Sequence, residues 1–353
     1  MVRGLLFNGL SGFFIEKMTT LLWRRQRSLL RGGLIRLCLL LAVLFVCIAR
    51  PTNAEMREFT LSVTEGEIDL KGVRVPVWMY NGVFPGPEIR VKQGDTVRVK
   101  LKNLSGAKHG MFFHGVKVDS RTALQEQEPV DPDFEYVYEF KAEPVGTHLY
   151  HCSYNMAEHL SKGMFGAFIV EGKDEKKYDK EFVYIISDWS SRAASGKTSH
   201  ESGHPASMKD NDITTINNKV IAGDEPLLME VRNGETVRVR IANLGLLPHK
   251  LRFPQGLVAT VTHEDGYLIS NPRIHDALTI YPGKSHDLAI VAVKGKWPLY
   301  HSIDMPRPAF GAEGATNVSH DGHKDGHKHD TKTKEIKTKQ VVEDVAIVLE
   351  VKG

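Results

Sequence analysis

From Gly94 the chain reads GDTVRVKLKNLSGAKHG, and from Gly234 it reads GETVRVRIANLGLLPHK. In both stretches a turn opens a run of alternating apolar and charged positions: Val97, Arg98, Val99, Lys100 in one and Val237, Arg238, Val239, Arg240 in the other. Successive side chains on a strand point to opposite faces, so a period of two predicts a half-buried strand. Both runs reach a histidine at the same offset, His109 and His249. A second pair of segments repeats as well. HLYHCS (His148 to Ser153) matches PLYHSI (Pro298 to Ile303), which aligns His151 with His301 and Cys152 with Ser302. Each copy is rich in short β-type segments punctuated by Gly and Pro. The pattern predicts an all-β chain of two tandem Greek-key β-sandwich domains, with antiparallel strands.

The charged run GKDEKKYDK, Gly172 to Lys180, separates the copies into residues 55–172 and 181–353. The second copy opens with EFVYIISDW and a polar excursion, Ser190 to Asn211, that carries His200 and His204. Residues 319–339 form a low-complexity insert with His320, His323, His327 and His329, read as a solvated loop in preference to a copper-collecting one. Ahead of both copies, Arg24, Arg25, Arg27, Arg31 and Arg36 precede the apolar run Leu37 to Ala49, and Thr52-Asn53-Ala54 supplies a small-residue cleavage site. Residues 1–54 are therefore expected to be an export signal, and the protein periplasmic or otherwise exported. Lys and Arg total 46 against 43 Asp and Glu, a balance that suggests no nucleic-acid partner.

Export changes the meaning of the cysteines. Cys38 and Cys47 lie within the signal, so Cys152 is the single cysteine of the mature chain and no internal disulfide can form. His151 precedes Cys152, His159 follows it, and Met164 follows that. One thiolate, two imidazoles and a weak thioether are the donors of a blue-copper electron-transfer site, and His109 supplies the second imidazole. Because neighbours on a strand face opposite ways, His151 and Cys152 are placed to serve two different metals.

NGVFPGPEIRVKQGDTVRVKLKN (Asn81 to Asn103), Phe113-His114-Gly115 and the Tyr150-His151-Cys152 strand resemble the cupredoxin domains of multicopper oxidases, across nearly the whole mature chain. The family's four His-x-His pairs, which hold a three-copper cluster, are broken here. Phe112-Phe113-His114, His151-Cys152-Ser153 and His301-Ser302-Ile303 each keep one histidine, and Arg252-Phe253-Pro254 keeps none. His114, His151 and His301 survive, a pattern similar to copper-containing nitrite reductase. That resemblance implies two coppers per subunit. A type 1 copper would sit on His109, Cys152, His159 and Met164, and a type 2 copper on His114 and His151 with His301 of a neighbouring subunit. It further implies a homotrimer, a small-molecule substrate, and a soluble electron donor (a cytochrome c or a cupredoxin). His249 is implied as the catalytic proton carrier. Phe112 stands where nitrite reductases carry an acidic residue, and it can transfer no proton. Two other readings follow from the same residues: a two-domain multicopper oxidase acting on a small reductant such as a phenol or metal ion, and a non-catalytic copper-binding electron relay.

Overall fold

A computed structural model of the chain describes residues 54–116, 129–191, 211–221, 225–303 and 343–353. The export segment apart from Ala54, the pair His200 and His204, and the insert 319–339 lie outside the described residues. No helix among the described residues is long and apolar enough to cross a membrane.

The alternation around Val97 folds as expected. Strand β4 (Thr96–Asn103) buries Val97, Val99 and Leu101 and turns Arg98 and Lys100 outward. It lies between β1 (Met56–Leu70) and β6 (Glu135–Lys141), with β2 (Val73–Tyr80) beyond β1. The facing sheet has the order β3 (Gly86–Lys92), β8 (Phe165–Glu171), β7 (Gly146–His151) and β5 (Phe112–His114). Tyr150, Phe168 and Val170 from that sheet meet the β4 valines in one core. The short helix α1 (Met156–Ser161) fills the connection from β7 to β8.

The second sandwich repeats the plan. One sheet runs β11 (Lys219–Val220), β10 (Ile213–Ile216), β9 (Lys180–Trp189), β13 (Thr236–Asn243), β18 (Ser285–Val291), β15 (Ala259–Glu264) and β16 (Tyr267–Ile274). The other runs β12 (Leu227–Arg232), β20 (Asp344–Lys352), β19 (Gly295–Ile303), β14 (His249–Arg252) and β17 (Ala277–Ile280). Val237, Val239 and Ile241 of β13 pack on Leu299, Ile347 and Leu349 in a separate core. The sheets are not wholly antiparallel, as the sequence suggested. β1 with β4, β3 with β8, β9 with β13, and β12 with β20 are parallel pairs. The chain crosses between sheets, and a strand returning from such a crossing is free to run parallel to its neighbour, whereas a hairpin is not.

The repeated corner after β4 and β13 is conserved down to its hydrogen bonds. Asn103 Nδ2 donates to Ala107 O (2.7 Å) and Val130 O (2.9 Å), and Asn243 Nδ2 donates to Leu247 O (2.7 Å) and Ile280 O (2.8 Å). This fixes where His109 and His249 leave the corner.

The charged faces of β4 and β13 have opposite fates. Arg98 and Lys100 pair at the surface with Glu139 and Glu135, whereas Arg238 and Arg240 are only 2 % and 1 % exposed. They lie where the second sandwich meets the first. Asp287 accepts from Arg238 Nη2 (2.7 Å), from Arg240 Nη1 (3.0 Å) and from the Thr147 hydroxyl of β7 (2.6 Å). Leu149, Phe165 and Ala167 of the first sandwich meet Ile185, Ala242 and Leu244 of the second beside this network. At Gly146 the two sandwiches approach so closely that an added Cβ would lie 2.0 Å from Gly266 O.

Removing Asp287 would leave the two buried guanidiniums with only the partly buried Glu175 and Glu181 as carboxylate partners, and losing one partner of a buried charge network costs up to about 3–5 kcal/mol. Asp287→Ala is therefore expected to lower the urea midpoint of the apo protein strongly. Arg98→Ala, on the solvated face of β4, should leave that midpoint nearly unchanged.

Candidate metal centre

His109, Cys152 and His159 come from three separate elements and converge. Their ligand atoms all lie within 4.8 Å of one another, and the residues are 0 %, 0 % and 2 % exposed. Cys152 Sγ is 3.0 Å from His159 Nδ1 and 3.9 Å from His109 Nδ1, and the two Nδ1 atoms are 3.2 Å apart. Met164 is fully buried at the same place. Its amide donates to His159 O (3.1 Å), and its carbonyl accepts from the Cys152 amide (3.1 Å). Gly110 N donates to the sulfur at 3.4 Å. An added Cβ at Gly110 would lie 2.2 Å from Ser153 Oγ, so a larger residue there would have to displace the Ser153 hydroxyl.

The corner residue sets the tautomer of His109. Asn103 Oδ1 accepts the Ser105 hydroxyl proton (2.8 Å), so Ser105 Oγ is left to accept from His109 Nε2–H (2.7 Å). The His109 lone pair is thereby aimed from Nδ1 at Cys152 and His159. Burial pushes the His109 imidazole down to about 3, with the nearby His159 charge adding to the effect, and burial lowers His159 too. Both rings are therefore neutral and ready to ligate. Burial pushes the Cys152 thiol up to about 11, so a metal cation must displace that proton on binding. Two imidazole nitrogens and a thiolate in a dry pocket fit a type 1 copper.

On the opposite face of β7, His151 pairs with Phe112 of β5. The His114 and His151 rings are 6.0 Å apart, and Phe112 lies 5.8 Å from the first and 5.3 Å from the second. His151 Nδ1 donates to Cys152 O (2.9 Å), which leaves Nε2 as its ligand atom. Burial lowers the pKa of both histidines. The chain brings His114 and His151 together and does not bring His301 to them.

His301 lies in the second sandwich against His249. His249 Nδ1 and His301 Nε2 are 2.8 Å apart, and His249 Nε2 donates to Asp188 Oδ2 at 3.1 Å. Nε2 keeps the proton that it donates to the carboxylate, so His249 Nδ1 accepts from His301 Nε2–H. His249 was expected beside the substrate of a second copper; it is instead fully buried and reaches His301 within its own sandwich. The alignment of LYH with LYH also shifts. His151 follows Gly146 by five residues and His301 follows Gly295 by six, both glycines opening their strands at positive φ. One extra residue turns every later side chain to the other face. His301 thus occupies the inward place of Cys152, not the outward place of His151.

Three contributors escaped the sequence reading. Ser105 sits inside the repeated motif and gives no signal by type. Asp188 replaces it in the second copy. Gly245 stands at the Ser105 position, and an added Cβ there would lie 2.2 Å from Asp188 Oδ2, so serine-to-glycine makes room for the carboxylate. Trp78 of β2 packs its ring on both His109 (5.0 Å) and His159 (4.5 Å).

Sequence models described as multicopper oxidase match residues 62–175 and 180–319. Copper resistance protein A of Pseudomonas syringae pv. tomato is 26% identical over 281 residues, spanning 66% of this chain and 45% of the relative. The copper-containing nitrite reductase of Neisseria meningitidis serogroup A is 32% identical over 185 residues, 49% of this chain and 46% of the relative. The chain thus spans somewhat under half the length of these curated relatives. Among solved structures, the blue copper oxidase from Nitrosomonas europaea superposes with a TM-score of 0.62 at 29% identity, covering 71% of this chain and 79% of that one.

Copper loading should colour the oxidised protein through charge transfer from the Cys152 thiolate, and Cys152→Ser should remove the visible band. Ser105→Ala frees the His109 ring and should weaken copper binding at this cluster about 10–100-fold. Competitive chelator titration, followed by the same band, measures that loss.

Proposed function

Because the chain belongs to the multicopper oxidase superfamily, whose models match both sandwiches, we propose that it is an exported copper-dependent oxidoreductase of the nitrite-reductase type. Electrons enter at the Cys152 cluster and leave through His151. The observation that carries this reading is their adjacency: Cys152 points into the first core, while His151 points away from it toward Phe112 and His114. When bound, copper supplies one-electron redox capacity at the first place and a Lewis-acidic, redox-active position at the second.

The chain's own residues do the remaining work. The Cys152–His151 peptide is the covalent path between the two places. The Cys152 carbonyl, accepting from His151 Nδ1, keeps the His151 Nε2 lone pair available. Phe112 walls the His114–His151 pair and excludes water without offering a proton. A neighbouring subunit of a homotrimer is the source we assign to a third imidazole, His301. For that role His301 must leave its 2.8 Å hydrogen bond to His249, after which His249 and Asp188 are free to pass a proton. A soluble one-electron donor, a cytochrome c or a cupredoxin, completes the cycle.

A second reading has its own support. With Phe112 packed against both rings and His301 held in-chain, a protein carrying only the Cys152 copper would be an electron relay with no turnover.

Copper content decides between them. The enzyme reading expects two coppers per subunit, a second paramagnetic signal that changes on adding nitrite, and a trimer by sedimentation. His301→Ala should erase that second signal and keep the colour. One copper per subunit with no nitrite response favours the relay. Phe112→Asp, which restores a proton donor, should raise nitrite turnover by roughly 10²–10⁴-fold if the carboxylate reaches the bound ligand. No gain despite two bound coppers would remove nitrite as the substrate.

A further inference from the structure

All the ligand residues of the Cys152 cluster are buried, so an electron from outside must cross protein to reach them. Among the described residues, two aromatic rings pack on the ligand imidazoles and also reach the surface. Tyr154 is the more exposed, and its ring lies 5.7 Å from His159 alone. Trp78 is half-buried and packs on both imidazoles, 5.0 Å from His109 and 4.5 Å from His159.

Trp78 is held in place from two directions. Its amide donates to Lys162 O at 2.9 Å, which ties β2 to the residue just after α1. The Lys162 ammonium lies 3.9 Å from the centre of the indole ring and is itself paired with Glu158 Oε1 at 2.7 Å. A cation over the ring face is attracted to its π electrons and makes them harder to remove. The indole is therefore placed to couple a donor to the cluster electronically while not itself being oxidised.

We propose that Trp78 is the conduit through which electrons enter the Cys152 cluster. This rests on the reading of that cluster as a type 1 copper site. The step moves one electron from an outer-sphere one-electron donor, which is oxidised, to the cluster copper, which is reduced. Trp78 begins and ends the step neutral, and no proton moves.

The test uses copper-loaded wild type, Trp78→Leu, Trp78→Phe and Tyr154→Leu, with hexaammineruthenium(II) as the reductant. Loss of the visible band in a stopped-flow instrument gives the rate per copper-loaded molecule. Trp78→Leu should slow reduction about 10-fold, at the lower end of what outer-shell partners contribute. Trp78→Phe should fall between it and wild type, and Tyr154→Leu should match wild type. Band position and midpoint potential should stay constant across the set. A separate readout is indole fluorescence. Copper titration of the apo protein should quench it, and Trp78→Leu should lose most of that quench.

A merely packing role would lower stability and copper affinity while leaving the rate per loaded molecule unchanged. That result overturns the proposal, as does a slow Tyr154→Leu, or a rate that simply follows a shifted potential. Should Trp78→Leu fail to hold copper, a Trp78→Phe rate equal to wild type overturns it alone. A wild type with no visible band sinks the electron-entry reading itself, which a missing Trp78 effect by itself does not.

Discussion

One buried carboxylate governs the geometry. Asp287 binds Arg238 and Arg240 within the second sandwich and the Thr147 hydroxyl of the first. Ser285 Oγ adds a bond to Thr147 O at 2.9 Å. Thr147 is the second residue of β7, and β7 ends at His151, one residue before Cys152. The strand that carries His151 and leads into Cys152, the candidate metal ligands, is thus pinned at its start by the other sandwich. In a low-dielectric interface such a network is strong only while complete, because each missing partner leaves a charge without compensation. Site geometry and domain packing are the same problem in this protein.

Much of this was legible beforehand, and the exceptions have physical causes. Cys152, His159 and His109 were readable because soft and borderline ligands at close spacing have few other uses in a chain whose leader reads as an export signal. The alternation at Val97 and Val237 was equally plain. What it cannot say is which charged face meets water. Arg98 and Arg238 stand in matching sequence, yet one is solvated and the other buried, because the answer depends on what docks there. Trp78 lay outside the reading since its contact with His109 and His159 is purely tertiary. His301 was aligned by residue likeness, whereas counting from the opening glycines Gly146 and Gly295 gives its face correctly.

The two corners show how a duplicated device diverges. Asn103 and Asn243 make matching backbone bonds, and each delivers a histidine with Nδ1 aimed inward. Behind His109 stands the Ser105 hydroxyl, a neutral acceptor. Behind His249 stands the Asp188 carboxylate, which also accepts from the amides of Leu246 (2.9 Å) and Leu247 (3.0 Å). The carboxylate fixes the His249 ring with Nε2 as its donor, and the Nδ1 lone pair that this leaves accepts from His301. The first corner keeps its lone pair aimed at Cys152 and His159. The second uses its lone pair on a neighbour.

The extra residue between Gly295 and His301 also has a genetic meaning. Deleting one codon in that span would move His301 to the outward place that His151 has in the first copy, and would release His249 in the same stroke. An architecture built from repeated strands can therefore gain or lose an outward-facing ligand by a single in-frame indel, with no change of residue type. In such a lineage, carriers and catalysts can lie one mutational step apart, and the length of β19 is where that step would be taken.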